Sequence, residues 1–333
     1  MLSTTIAMTA LVVVLALVFD FINGFHDTAN AIATSVSTRV LSPQAAVVMS
    51  AVCNFTGAFI SVKVAMTIGS GIVNPNQISQ GVVVAALLGA IIWNLTTWYL
   101  GLPSSSSHAL IGGLLGAAIV FKGSLMVVNW STLWWKVLLW LFLSPVIGFI
   151  AGFILMTALN WTLKSLRPAT VTSIFSKAQV VSAALMALNH GGNDAQKSMG
   201  VIALALFSGG LIAQFGVPLW VKASCALAMA LGTSLGGWKI IKTMGVSMTR
   251  LVPVNGFAAE TGAAAIIFTA TMLNAPVSTT HIISTAIMGV AASKRLSSVR
   301  WIIARNIVWA WVLTIPVCAL LAGALLLAIK FIF

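Results

Sequence analysis

From Ile6 to Ile22 the chain runs through seventeen residues with a single charged side chain, Asp20. Similar apolar stretches follow at 43–68, 77–100, 104–121, 131–163, 171–188, 195–215, 217–236, 256–273, 276–293 and 301–332. About 20 such residues cross the hydrocarbon core as a helix. Inside lipid only helices and closed barrels satisfy every backbone amide and carbonyl. The chain is therefore read as an all-α polytopic membrane protein, whose 333 residues allow roughly ten to twelve transmembrane segments and little else. The first run is as apolar as a secretory signal, but it lacks a basic segment before it and a small-residue cleavage site after it. It is read as the start of a retained helix.

Composition closes off the alternatives. The chain is 60% hydrophobic and 6% charged, with a mean hydropathy of +1.08, where soluble domains carry about a quarter charged residues. Seventeen Lys and Arg against four Asp and Glu give a formal charge of +13, which in a soluble chain would suggest nucleic acid. Here the bases punctuate apolar runs, so the partner is the lipid bilayer, with no nucleic acid. Lys164, Arg167 and Lys177 form one cluster, Lys239, Lys242 and Arg250 a second, and Lys294, Arg295, Arg300 and Arg305 a third. Short cytoplasmic loops retain such bases, which places all three inside the cell and the cell membrane around the chain. The first three residues carry no base, which favours an outward amino terminus. Cys53, Cys225 and Cys318 lack CxxC or CxH spacing and read as core thiols. Tryptophans at 130, 134, 135, 140, 301, 309 and 311 read as interfacial belts.

The two halves repeat each other. Gly24-Phe25-His26-Asp27-Thr28-Ala29-Asn30 aligns with Gly191-Gly192-Asn193-Asp194-Ala195-Gln196-Lys197, and Pro103-Ser104-Ser105-Ser106-Ser107-His108 aligns with Pro276-Val277-Ser278-Thr279-Thr280-His281. Matching order and nearly constant offset predict a first transmembrane repeat over 1–165 and a second over 166–333, inverted if each half crosses the membrane an odd number of times.

Scarce polar chemistry collects at these motifs. The acids are Asp20, Asp27, Asp194 and Glu260, and the histidines are His26, His108, His190 and His281. A carboxylate in hydrocarbon costs a few kcal/mol, so such residues mark substrate or ion paths; the structural alternative is a hydrogen bond that only glues helices. Gly24 and the Gly191-Gly192 pair are expected to break their helices and expose backbone to a ligand. Asp27 with Asn30, and Asp194 with Lys197, share helix faces and can converge on one solute. The Pro-x-hydroxyl-hydroxyl-hydroxyl-His runs begin half-helices with free amides, an anion site, or, more plainly, an N-cap. Glu260 should be paired, protonated or ion-binding, and Asp20 reads as a proton or cation station or a structural partner.

These motifs resemble the paired signatures of the inorganic phosphate transporter family, of the bacterial low-affinity permease type, and Ala259-Glu260-Thr261-Gly262 resembles its second half. The resemblance implies two inverted repeats with broken or re-entrant helices, a homodimer, and a symporter moving phosphate with a cation. Carried across by position, it implies substrate contacts from Asp27, Asn30, Ser105, Ser106, Ser107, Asn193, Asp194, Lys197, Ser278, Thr279 and Thr280. His26, Asp20, Glu260, His108 and His281 are the candidates for moving the coupling ion. The chain departs from the sodium-coupled pattern at His26, where those members carry Asn, and it has no long central cytoplasmic loop.

Two carboxylates beside a dianion repel it, so a proton, a sodium ion or a divalent metal travelling with phosphate must enter the loaded site. Histidine titrates near physiological pH, and imidazolium can only donate. His26 therefore favours proton coupling over sodium, with phosphate entering as a neutral metal complex. No cofactor and no dedicated metal site are read. A sulfate permease of the same family is the nearest rival. An anion channel fits less well, because duplicated polar helices suit alternating access. An enzyme is not expected, as neither HExxH nor GxSxG occurs.

Overall fold

The computed structural model describes residues 2–332. Met1, on which part of the orientation reading rests, lies outside the described residues. In chain order the α-helices are α1 (Leu2–Ser37), α2 (Pro43–Gly57), α3 (Lys63–Met66), α4 (Gln80–Leu100), α5 (Ser106–Lys122), α6 (Trp130–Thr132), α7 (Leu139–Thr162), α8 (Pro168–Ser208), α9 (Leu219–Leu235), α10 (Trp238–Lys242), α11 (Pro253–Met272), α12 (Thr279–Ala292) and α13 (Trp301–Ile332). Single π-helical turns extend α3 over Thr67–Gly71 and α10 over Thr243–Ser247, and another joins α6 to α7. Prolines at the first turns of α2, α8 and α11 start those helices where a missing amide costs nothing.

The same series runs twice. A long helix, a short helix followed by a shorter one, a helix of about twenty residues, a short apolar helix and a long terminal helix make up each half. Matching details extend to the loops: Trp130 Nε1 donates to the Leu125 carbonyl at 3.1 Å, and Trp301 Nε1 to the Leu296 carbonyl at 3.0 Å. The two first helices run antiparallel. Thr38 Oγ1, past the end of α1, donates to Gln179 Oε1 near the start of α8 at 2.8 Å, whereas Gly209, just beyond α8, abuts Thr9 near the start of α1.

Equivalent loops consequently fall at opposite ends of the bundle. The 296–298 turn is bonded to the strip at 248–249, through Thr249 Oγ1 to the Ser298 carbonyl and the Arg300 amide to the Met248 carbonyl, both at 3.1 Å. The π-turn just before that strip packs on Ala33 and Ser37, at the end of α1. The 125–127 turn joins Asn74, which follows the π-turn packed on Gly200, toward the start of α1. All three basic clusters thus gather toward the end of the bundle where α1 stops and α8 starts.

Among the described residues, five helical stretches are long and apolar enough to span a membrane by themselves: Thr4–Ser37, Gln80–Leu100, Trp130–Thr162, Pro168–Ser208 and Trp301–Lys330. Leu219–Leu235 with Trp238–Ser247, bent by 62°, makes a sixth if the pair is one span. α5 and α12 are shorter apolar helices that start inside the bundle, after their proline-hydroxyl runs. One expectation changes: the glycine motifs do not break their helices, as α1 runs through Gly24 and α8 through Gly191 and Gly192. Their glycines allow backbones to touch. A Cβ at Gly24 would lie 2.4 Å from the Met229 carbonyl oxygen, and one at Gly191 2.2 Å from that of Asn54, the small-residue packing of helices in lipid. The actual breaks lie between α2 and α3 and between α9 and α10, each short pair packing against the first helix of the other half.

The halves interlock at their far ends too. Gly112 and Gly116 of α5 lie against Ile315 and Ala319 of α13, and Gly148 and Gly152 of α7 lie against Ile282 and Ala286 of α12. Each short helix is thus held by the terminal helix of the other half.

Candidate functional site

α1 and α8 cross where their repeated motifs meet. Asp27 and Asp194 are both buried there, and one ligand atom each from Asp27, His190 and Asp194 lie within 4.8 Å of one another. Such a carboxylate-imidazole set could hold a divalent cation. Hydroxyls come from the short helices: Ser106 Oγ of α5 donates to Asp27 Oδ2 at 3.1 Å, and its counterpart Thr279 Oγ1 of α12 donates to Asp194 Oδ2 at 3.3 Å. Thr280 Oγ1 crosses over to Asp27 Oδ1 at 3.5 Å. Asn30 Nδ2 donates to Thr279 Oγ1 at 3.1 Å and to Thr280 Oγ1 at 2.9 Å. Lys197, wholly buried, sets its Nζ 2.7 Å from Asp194 Oδ1. Both sequence halves therefore contribute to one connected polar centre.

The remaining candidates surround it. Ser105 and Ser278 are the N-caps of α5 and α12, accepting from the amides of His108 at 3.3 Å and His281 at 3.2 Å. The plain N-cap role is thus real, and it leaves the first-turn amides and positive helix ends directed at the centre. Ser107 Oγ donates to the Val277 carbonyl at 3.0 Å, tying one Pro-hydroxyl turn to the other. His26 sits beside Asp27, its Nδ1 2.7 Å from Oδ1, with Nε2 3.0 Å from Thr97 Oγ1. Asn193 holds the equivalent place, donating from Nδ2 to Thr271 Oγ1 at 2.9 Å. Imidazole in one half thus replaces amide in the other against the same kind of hydroxyl.

Four candidates stand apart from this centre. Glu260 accepts from Thr34 Oγ1 at 2.5 Å, from Gln179 Nε2 at 3.1 Å and from Ser182 Oγ, near the α1 end that carries the basic clusters. Asp20 lies two turns before Asp27 on α1, toward the other end. His108 and His281 face each other at 5.0 Å between ring centroids. His281 also stacks on Trp311 at 4.0 Å, and Trp311 Nε1 donates to the Pro103 carbonyl at 2.9 Å. Trp311 is therefore buried against the site's scaffold rather than part of an interfacial belt, while Trp130, Trp134, Trp135, Trp301 and Trp309 are exposed as expected.

Several residues outside the predicted set support the site. Asn54 Oδ1 accepts from His190 Nδ1 at 3.0 Å, with its Nδ2 donating to Thr233 Oγ1, also at 3.0 Å. Thr97 and Ser104 close a hydroxyl pair at 2.8 Å behind His26. A polar residue in an apolar helix was the signal available for Asn54, Thr97 and Thr233.

Residues 23–322 match the model of the phosphate transporter family. The chain is 50% identical over 317 residues to a protein of Rhizobium meliloti (strain 1021), covering 93% of each, and 49% identical over 329 residues to one of Bacillus subtilis (strain 168), covering 98% of each. Both carry the name probable low-affinity inorganic phosphate transporter. Among solved structures, one titled the sodium-dependent phosphate transporter has the same fold, with a TM-score of 0.88, 24% identity and coverage of 98% of this chain and 100% of that one.

Proposed function

The chain belongs to the phosphate transporter family, a family of permeases rather than enzymes, and from that premise we propose that it is a secondary active symporter importing inorganic phosphate across the cell membrane. The observation that carries this reading is the meeting of Asp27 and Asp194, one from each sequence repeat, with Ser106, Thr279 and Thr280 at the starts of two short helices. Hydroxyls, first-turn amides and the Lys197 ammonium suit a tetrahedral oxyanion. Two carboxylates against one lysine leave the empty centre negative, so phosphate needs accompanying positive charge. Charge neutralisation is thereby the basis of coupling. Inverted repeats over 1–165 and 166–333 would alternate access around this centre, in a homodimer.

His26 favours the proton as coupling ion. Its Nδ1 lies 2.7 Å from Asp27 Oδ1, so a proton arriving there neutralises a site carboxylate directly. Asp27, His190 and Asp194 can at the same time receive a divalent metal that travels with phosphate as cargo. Sodium coupling is the second reading, supported by Asn193, whose Oδ1 has no hydrogen-bond partner and could face a cation.

Vesicles reconstituted with the protein, free of sodium and given an inward pH gradient, should accumulate labelled phosphate and stop when the gradient collapses. Uptake that needs sodium and ignores pH would refute proton coupling. Competition by excess sulfate should be weak and by arsenate strong; the reverse would favour the sulfate permease.

A further inference from the structure

A second set of polar side chains lies along α1, between Asp27 and the amino-terminal end of the helix. Asp20 is fully buried, and neither carboxyl oxygen has a hydrogen-bond partner. One turn on, Asn23 is buried with both amide atoms unpartnered. α4 supplies the next group by register. Thr9 meets Gln80 at 2.5 Å and His26 meets Thr97 at 3.0 Å, each pair 71 residues apart, so α1 and α4 run parallel with that offset. The same offset sets Asn94 level with Asn23, and the Asn94 amide is likewise buried with neither atom bonded. Across from α4, the Ser198 hydroxyl of α8 and the Cys225 thiol of α9 turn toward the Asp20 carboxyl, and Ser198 has no other partner.

Four buried polar side chains from three helices, with no partner outside this cluster, are costly unless something occupies them. Their chemistry specifies what. Carboxylate, amide carbonyl and hydroxyl oxygens form a hard donor set, and a single acid gives it a single negative charge. The charged groups of α8 facing Asp20, Asp194 and Lys197, are already paired with each other at 2.7 Å, which leaves the Asp20 charge uncompensated. We propose that Asp20, Asn23, Asn94 and Ser198 form a monovalent-cation site separate from the Asp27–Asp194 centre, two helical turns or about 10 Å from Asp27, where the driving ion docks. It arrives either as sodium held by these oxygens or as a proton on Asp20 with water held by the amides. This inference rests on the cation-driven symport reading.

Vesicles bearing the full chain separate the two. Asn at position 20 mimics the neutralised carboxyl, so Asp20→Asn should still exchange labelled for unlabelled phosphate when concentrations are equal on both sides. Its uphill accumulation under an imposed cation gradient should fall about tenfold. Running that gradient as protons and then as sodium identifies the ion, as the arm that drives the wild type and fails in the variant. Ser198→Ala, which removes one neutral ligand, should raise the cation concentration for half-maximal accumulation about fivefold with exchange intact, and carries the test if Asp20→Asn does not assemble. Unchanged accumulation in both variants overturns the site, as does loss of exchange together with accumulation in both. A wild-type protein that neither exchanges nor accumulates phosphate refutes symport itself, and this site with it.

Discussion

At the residue scale the centre works through hydroxyls of Ser106, Thr279 and Thr280 that donate to buried carboxylates. Ser106 and Thr279 occupy equivalent positions on α5 and α12 and bond equivalent acids. Removing one donor to a buried charge costs about 1–3 kcal/mol. Ser106→Ala and Thr279→Ala should therefore each raise the half-saturating phosphate concentration about five- to 150-fold, in uptake assays normalised to membrane expression. Unchanged half-saturation in both, and in the double variant, would leave these hydroxyls with capping and packing roles only. These positions were legible in the sequence because each half repeats them beside a proline. Their supports were not. Thr97, Asn54 and Thr233 lie outside the repeated motifs, and they reach His26, His190 and each other only because distant helices bring them together. Trp311 misled for a related reason, since a tryptophan at a lipid interface and one stacked on a buried histidine look alike in sequence.

At the element scale the glycine motifs were legible as special, but not for what they do. Gly24 and Gly191 stay helical because each helix is kept closely packed by a short helix from the other half, through backbone contacts no side chain could enter. An added methyl at Gly191 would meet the Asn54 carbonyl oxygen at 2.2 Å. Gly191→Ala should accordingly destabilise the protein by about 1–3 kcal/mol, read as a lower melting temperature in detergent, and displace Asn54 from His190. An unchanged melting temperature would mean that α2 can retreat at no cost. The break after α2 falls at an ordinary-looking stretch, whereas the one after α9 falls at the Gly236-Gly237 pair, where the apolar run 217–236 ends and Gly236 takes a φ of 71°. Nothing in the apolarity of 104–121 or 276–293 says that those helices begin inside the bundle.

At the scale of the whole molecule, the two halves carry the same helix series and their first helices run antiparallel. The 125–127 and 296–298 turns are equivalent in sequence order and in their tryptophan contacts, yet they occupy opposite ends of the bundle. Met126 is 91% exposed and Ser297 is exposed as well. A membrane-impermeant maleimide applied to intact cells should label Met126→Cys and spare Ser297→Cys until the membrane is opened, with the wild type as control. Labelling of both from one side would contradict the inverted arrangement. The central claim is that the two repeats build one phosphate centre from Asp27 and Asp194, and single-variant uptake tests it most directly. Asp27→Asn and Asp194→Asn, each confirmed in the membrane at wild-type amounts, should both abolish accumulation of labelled phosphate; normal accumulation by either would contradict a site shared between the halves.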